Sequence, residues 1–280
     1  MKIEIRHHLR VAIGPDLTRA IEHLLLTPQS GTTQTVDAWS IEMPGFAEAA
    51  RFKDAYGNVA HLVCQTHPEP ELSVLVAGSV ETHDTHGVVG KPDGAPVPTL
   101  YKRQTALTRS PVTVHGKFRH AERSGQARIP LLHQIMERVG ELYRFGLAED
   151  DAPEAEGPSQ SQTMGTMTQS QTMGTPARPE GKAEDFAHAF IGAARALDIP
   201  ARFVTGYLAA EDDRPAVFHA WAEAWDDALG WIGFDAALGL CPAERHVRVA
   251  VGLDAATCPP IRTVPATGAP EVLALSVTPA

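Results

Sequence analysis

At 280 residues and 30.0 kDa the chain is long enough for two modest domains, each with its own core. Its 24 Lys and Arg against 34 Asp and Glu leave a formal charge of −10, which argues against nucleic acid and anionic membrane as partners, since Lys and Arg supply most of that affinity. No apolar run approaches the roughly 18 residues of a membrane span. The opening MKIEIRHHLR alternates apolar with charged side chains, so no signal peptide is expected and the protein is expected in the cytoplasm. Cys64, Cys241 and Cys258 are odd in number and show no C-x-x-C spacing, which fits reduced thiols.

Residues 1–95 read as β structure. Ile3, Ile5, His7, Leu9, Val11 and Ile13 recur at alternate positions, as a half-buried strand requires. Trp39, Ile41 and Met43 alternate in the same way. After the turn residues 54–58, Val59, His61 and Val63 interleave with Ala60, Leu62 and Cys64, and Leu72, Val74 and Val76 follow. Short strands separated by turns predict a β-sandwich over 1–95. His83, Asp84 and His86 are metal-ligand types, but the cluster reads as a solvated turn, and no metal or cofactor is expected.

Gly and Pro between residues 87 and 98 mark a connector. The stretch 96–147 is predicted to carry one amphipathic helix, with Leu131, Leu132, Ile135, Val139, Leu142 and Phe145 on its buried face. Over 148–180 the chain turns acidic and then largely uncharged, and the run 160–166 is duplicated as 169–175. Such composition predicts a mobile loop, with a lid as the functional alternative. Phe186, Phe190, Ile191, Ala194 and Leu197 mark the buried face of a second helix that stops before Ile199-Pro200. A strand over 201–208 follows. Strands over 217–225 and 231–235 then flank the turn 226–230. A symmetric hairpin centred on Ala228 sets Trp221 opposite Asp235 and makes His219 the diagonal neighbour of Asp235, at roughly 7–8 Å between Cα atoms.

The stretch Gly181-Lys182-Ala183-Glu184-Asp185-Phe186-Ala187-His188, read with His219-Ala220-Trp221 and Gly233-Phe234-Asp235, resembles the transglutaminase-like superfamily. That family carries Cys in a G-x-C-x-D pattern at a helix start, His in H-A-W, and Asp after a short strand. By this resemblance Ala183 stands at the nucleophile position, His219 at the base and Asp235 at the residue that orients it. Gly181, Asp185, His188, Gly206-Tyr207 and Trp221 match as well. Residues 1–95 resemble the β-rich domain that precedes bacterial cores of this kind. The tail over 246–252, Asp254, Pro259-Pro260 and the closing segment 272–277 extend the likeness.

The resemblance implies an α+β chain: an N-terminal β-sandwich, then a papain-like core of helices on an antiparallel sheet over 181–280, including the C-terminal β segment. It implies a peptide or protein amide as ligand, met by Glu184, Asp185, Tyr207 and Trp221 beside Ala183. A His219–Asp235 bond would fix the imidazole tautomer and direct the other nitrogen toward residue 183. With alanine there, covalent chemistry is expected to be absent, because the thiolate is the bond-making group. Three readings follow: an inactive homologue that keeps its cleft, a thiol amidase, peptidase or acyltransferase whose Cys has been replaced, or a scaffold partner of an active paralogue. Lys182, Glu184 and Ala236-Ala237 also depart from the family pattern, which favours natural loss over a single replacement.

Overall fold

The computed structural model describes residues 1–14, 17–119, 127–145, 180–211, 215–266 and 268–280. The low-complexity duplication therefore lies outside the described residues. The remainder is an α+β chain with two layers of antiparallel sheet in front of a helix-backed third sheet.

The N-terminal half supplies β1 (Lys2–Ala12), β2 (Arg19–Thr27), β3 (Gln34–Glu42), β4 (Ala50–Lys53), β5 (Val59–Thr66) and β6 (Glu71–Thr82). The period-two burial of β1 matches its sequence, with Ile3, Ile5, His7, Leu9 and Val11 inside. The two sheets enclose Leu9, Val11, Leu24, Val63, Val74 and Val76 between them. Strand β2 carries its own apolar run, Leu24-Leu25-Leu26, which alternation reasoning passes over because both neighbouring faces are covered.

The chain then forms the short strand β7 (Val88–Gly90), a single turn α1 (Val112–His115), the helix α2 (Arg128–Leu142) and the short parallel pair β8 (Arg144–Phe145) and β9 (Glu180–Gly181). After these come α3 (Ala183–Ala196), β10 (Ala201–Leu208), β11 (Val217–Asp226), β12 (Gly230–Phe234) and β13 (His246–Gly252). The core sheet has the order β13-β10-β11-β12-β7, so part of the expected connector is in fact an edge strand of the core.

The last two strands, β14 (Ile261–Val264) and β15 (Glu271–Pro279), correct the expected domain assignment. They join the N-terminal sandwich and not the core: β15 pairs with β1, and β14 pairs with β2. The physical reason is edge protection. Without them β1 and β2 would end their sheets with unpaired backbone groups.

Helices α2 and α3 pack on one face of the core sheet. Phe186, Phe190, Ile191 and Ala194 share a cluster with Leu132, Ile135 and Val139 of α2 and with Ala220, Ala222 and Ala224 of β11. The small side chains of β11 admit the helix closely, and Phe190 stacks on Phe234 at 5.0 Å between ring centroids.

Candidate active site

The site begins with the hairpin of β11 and β12. Ala222 pairs with Phe234 and Trp225 with Trp231, which is the register a turn centred on Ala228 requires. One residue beyond the ladder, Asp235 leaves β12 and makes a backbone bridge to Leu240. Its Oδ1 accepts the amides of Ala237 and Leu238, both at 3.1 Å, which fixes the carboxylate plane.

Asp235 Oδ2 accepts two imidazole N–H groups, from His219 Nε2 at 2.6 Å and from His246 Nε2 at 3.1 Å. All three residues are buried. Burial by itself would raise the Asp235 carboxyl, but the hydrogen bonds from His219 and His246 override it and hold it at about 2. The carboxylate is then ionised and purely an acceptor, so each Nε2 carries its proton. Any proton exchange between His219 and a reacting group falls to Nδ1. That is the tautomer a His–Asp pair needs to act as a base.

His246 is the residue that sequence reasoning missed. It opens β13, which is separated from β11 in the sheet by β10. Only the pairing of Leu208 with His246 brings it to the Asp235 end of the sheet. The three donor atoms lie within 4.8 Å of one another, a spacing that a divalent ion could share, but here the two N–H groups satisfy the carboxylate oxygen.

The Asp235 carboxylate predicts an acid limb in stability. Its folded pKa is depressed, so its contribution is present above the unfolded value near 3.8 and is lost as the pH falls toward about 2. The displacement corresponds to about 2 kcal/mol. Asp235→Asn should flatten that limb in urea titrations between pH 4 and 2. An unchanged slope would show that the pair carries no such linkage.

Helix α3 starts at Ala183 because Asp185 accepts the Lys182 backbone N–H at 2.8 Å, satisfying a donor just ahead of the first turn. Its far end is tied to β10 by Arg195, whose guanidinium donates to Ala201 O at 2.8 and 3.0 Å and to Leu253 O at 2.8 Å. Nearer its start, His188 stacks on Phe203 at 4.9 Å. Five residues of helix from His188 back to Ala183 cover about 7.5 Å, equal to a little over two residues of strand. That places Ala183 at the level of the Thr205–Ala220 and Gly206–His219 pairs. Gly206 is required there: a Cβ would meet Val247 O at 2.1 Å and the Trp221 ring at 2.6 Å.

Of the residues expected to meet substrate, Glu184 opens on a cavity of about 570 Å³, together with Thr205 and Phe218 of the core. Burial, and then the neighbouring Asp185, raise its carboxyl. The other three are placed differently. Asp185 is engaged by the helix start. Tyr207 is fully enclosed, with its hydroxyl 3.1 Å from His7 Nδ1. Trp221 is buried among Val204, Val251 and the edge of His246. By strand alternation Trp221 and His219 lie on the face of β11 opposite Ala220, Ala222 and Ala224, the face that packs on α3.

None of the cysteines supplies a thiolate at Ala183. Cys258 lines the same cavity as Glu184, but burial pushes its thiol well up, and its S–H donates to Asp254 O at 3.5 Å. Burial also raises Cys241, and Cys64 is exposed on the sandwich strand β5.

Residues 135–236 match the model of the transglutaminase-like superfamily, and residues 3–81 match that of the bacterial transglutaminase-like N-terminal region. The chain carries a transglutaminase-like core. An uncharacterized protein of Mycobacterium leprae is 24% identical over 285 residues, covering 94% of this chain and 92% of the relative. One of Mycobacterium tuberculosis is 24% identical over 286 residues, covering 94% and 87%. A solved structure from Cytophaga hutchinsonii, described as a candidate cysteine protease, superposes with a TM-score of 0.62 at 21% identity, covering 99% of this chain and 89% of that one. That likeness confirms the fold of the transglutaminase-like core and its N-terminal domain. No helix among the described residues is long and apolar enough to cross a membrane.

Proposed function

We propose that this transglutaminase-like protein is a catalytically inactive homologue whose cleft binds a peptide or amide. The observation that carries the reading is the combination of alanine at the nucleophile position with a hydrogen-bonded His219–Asp235 pair and an open cavity at Glu184. Without a thiol no acyl-enzyme forms, and only binding and polarisation of a carbonyl remain. Isothermal titration of the intact protein with short amidated peptides tests it. Saturable binding without turnover is expected, and hydrolysis or acyl transfer by the unaltered chain would overturn the reading.

The intact His219–Asp235 bond also favours a second reading, in which the chain is a thiol amidase, peptidase or acyltransferase scaffold that lacks one atom. Iodoacetamide tests whether one of the existing thiols stands in for the absent one. In the unaltered chain, Cys64 should be labelled and Cys258 spared, and peptide mapping reads the result. Rapid labelling of Cys258 would point to a displaced nucleophile.

A further inference from the structure

Two buried polar atoms next to the start of α3 have no partner among the described residues: His7 Nε2 and Thr205 Oγ1. His7 is 2% exposed and Thr205 is 4% exposed, yet both line the cavity of about 570 Å³ that Glu184 enters. Native structures seldom leave such groups unsatisfied without a ligand or a water to meet them. The cavity size falls in the range of small-molecule sites, roughly 300–1,000 Å³.

The seam between the two domains builds this cavity. From the sandwich come His7 and Leu9 of β1, from the core Thr205 and Phe218, and from the C-terminal segment Pro260 and Ile261. His7 sits edge-on to Tyr207 at 5.5 Å and beside Phe218 at 5.7 Å, so the domain contact itself holds the imidazole in place.

The donor pattern follows from protonation. Burial, with a smaller push from His8, lowers His7 to about 4, so the ring is neutral near pH 7. Burial drives the Tyr207 phenol the other way, and it keeps its proton. With the Tyr207 phenol as donor to Nδ1, one of the two directions this neutral pair allows, the imidazole hydrogen sits on Nε2, the nitrogen without a partner. In that tautomer the cavity offers one N–H and one hydroxyl, both neutral, against walls that are mostly apolar apart from Glu184, Arg262 and Thr263.

We propose that this cavity binds the uncharged amide of a hydrophobic amino acid or acyl group, its carbonyl oxygen accepting from His7 Nε2 and Thr205 Oγ1 and its apolar part lying against Leu9, Phe218 and Ile261. The amide chemistry rests on the function proposed above, whereas the two unpaired donors and the apolar walls do not. The specificity of the cleft is then set in part by the N-terminal domain.

Titration calorimetry of the full chain with N-acetyl-L-phenylalanine amide tests the proposal, with N-acetyl-L-phenylalanine as the anionic comparison. The amide should bind saturably at one site and at least about tenfold more tightly than the carboxylate, which must be desolvated beside Glu184 while the cation on the wall, Arg262, is already engaged by Ala256 O. Thr205→Val should weaken the amide about tenfold, the loss of one hydrogen bond from a buried site. It should also raise the urea midpoint of the free protein, since it removes an unsatisfied hydroxyl. Val272→Trp on the exposed cavity wall should block binding while leaving the unfolding midpoint unchanged. Absence of saturable binding by the unaltered chain, or Thr205→Val binding as tightly as the parent, would overturn the proposal. Should the amidated peptides bind while this probe does not, the cavity assignment fails and the inactive-homologue reading stands.

Discussion

Ala183→Cys is expected to create a thiol that reacts with iodoacetamide at pH 7 at least about tenfold faster than Cys64. An ordinary cysteine near pKa 8.5 is only about 3% thiolate at that pH, and a helix N-terminus lowers the pKa by presenting free N–H groups and the positive end of the dipole. A value near 6.5 would raise the thiolate fraction to roughly three-quarters. Position 183 meets those conditions as the first residue of α3, level with the Gly206–His219 pair. Lys182 adds a positive charge and Glu184 opposes it with a carboxyl that burial already raises. Turnover of an aminoacyl-coumarin should appear with the thiol, since removing the nucleophile from a catalytic triad costs about 10⁶ in rate. His219→Ala in the Ala183→Cys background should remove most of both gains. If the introduced thiol alkylates no faster than Cys64, the His219–Asp235–His246 cluster serves structure alone.

Glu223→Ala should destabilise the fold by about 3–5 kcal/mol, because it strands buried cations. Glu223 is fully buried and accepts Arg202 Nε at 2.6 Å and Arg248 Nε at 2.8 Å. Burial would raise its carboxyl, yet Arg202 and Arg248 hold it below the ordinary range. Arg202 is itself enclosed, with its guanidinium carbon 3.9 Å from the centroid of the Trp231 ring. Deleting the carboxylate leaves that cation desolvated with no acceptor of opposite charge. Glu223→Gln, which keeps an acceptor of the same shape, should cost less. Arg202→Met combined with Glu223→Leu should recover part of the loss, because the desolvation cost of both ions disappears together. Urea unfolding of the three variants checks the order, and a Glu223→Ala midpoint close to the parent's would refute the argument.

These two expectations sit on one sheet and concern different work. Glu223 with its arginines holds the middle of β11, while His219 lies toward the start of that strand and Asp235 just beyond β12. Glu223→Gln should therefore lower the unfolding midpoint without altering the enhanced reactivity of an Ala183→Cys thiol.

Local patterning was enough for the period-two strand β1, the stop of α3 ahead of Pro200, the boundaries of β10 and the hairpin that puts His219 within reach of Asp235. Each of these depends on side chains a few residues apart, and their spacing is written directly in the chain. That alanine stands at position 183, the first residue of α3, is equally a property of the sequence. Pairings across long separations were decided only by the tertiary structure. His246 joined Asp235 through the β10–β13 ladder, β14 and β15 closed the sandwich edges left open by β2 and β1, and His7 and Thr205 came to line one cavity across a domain seam. No local period encodes which distant edge a strand will cover. That choice is made by burying unpaired backbone and apolar surface together, and here the same choice also formed the cavity that Glu184 lines.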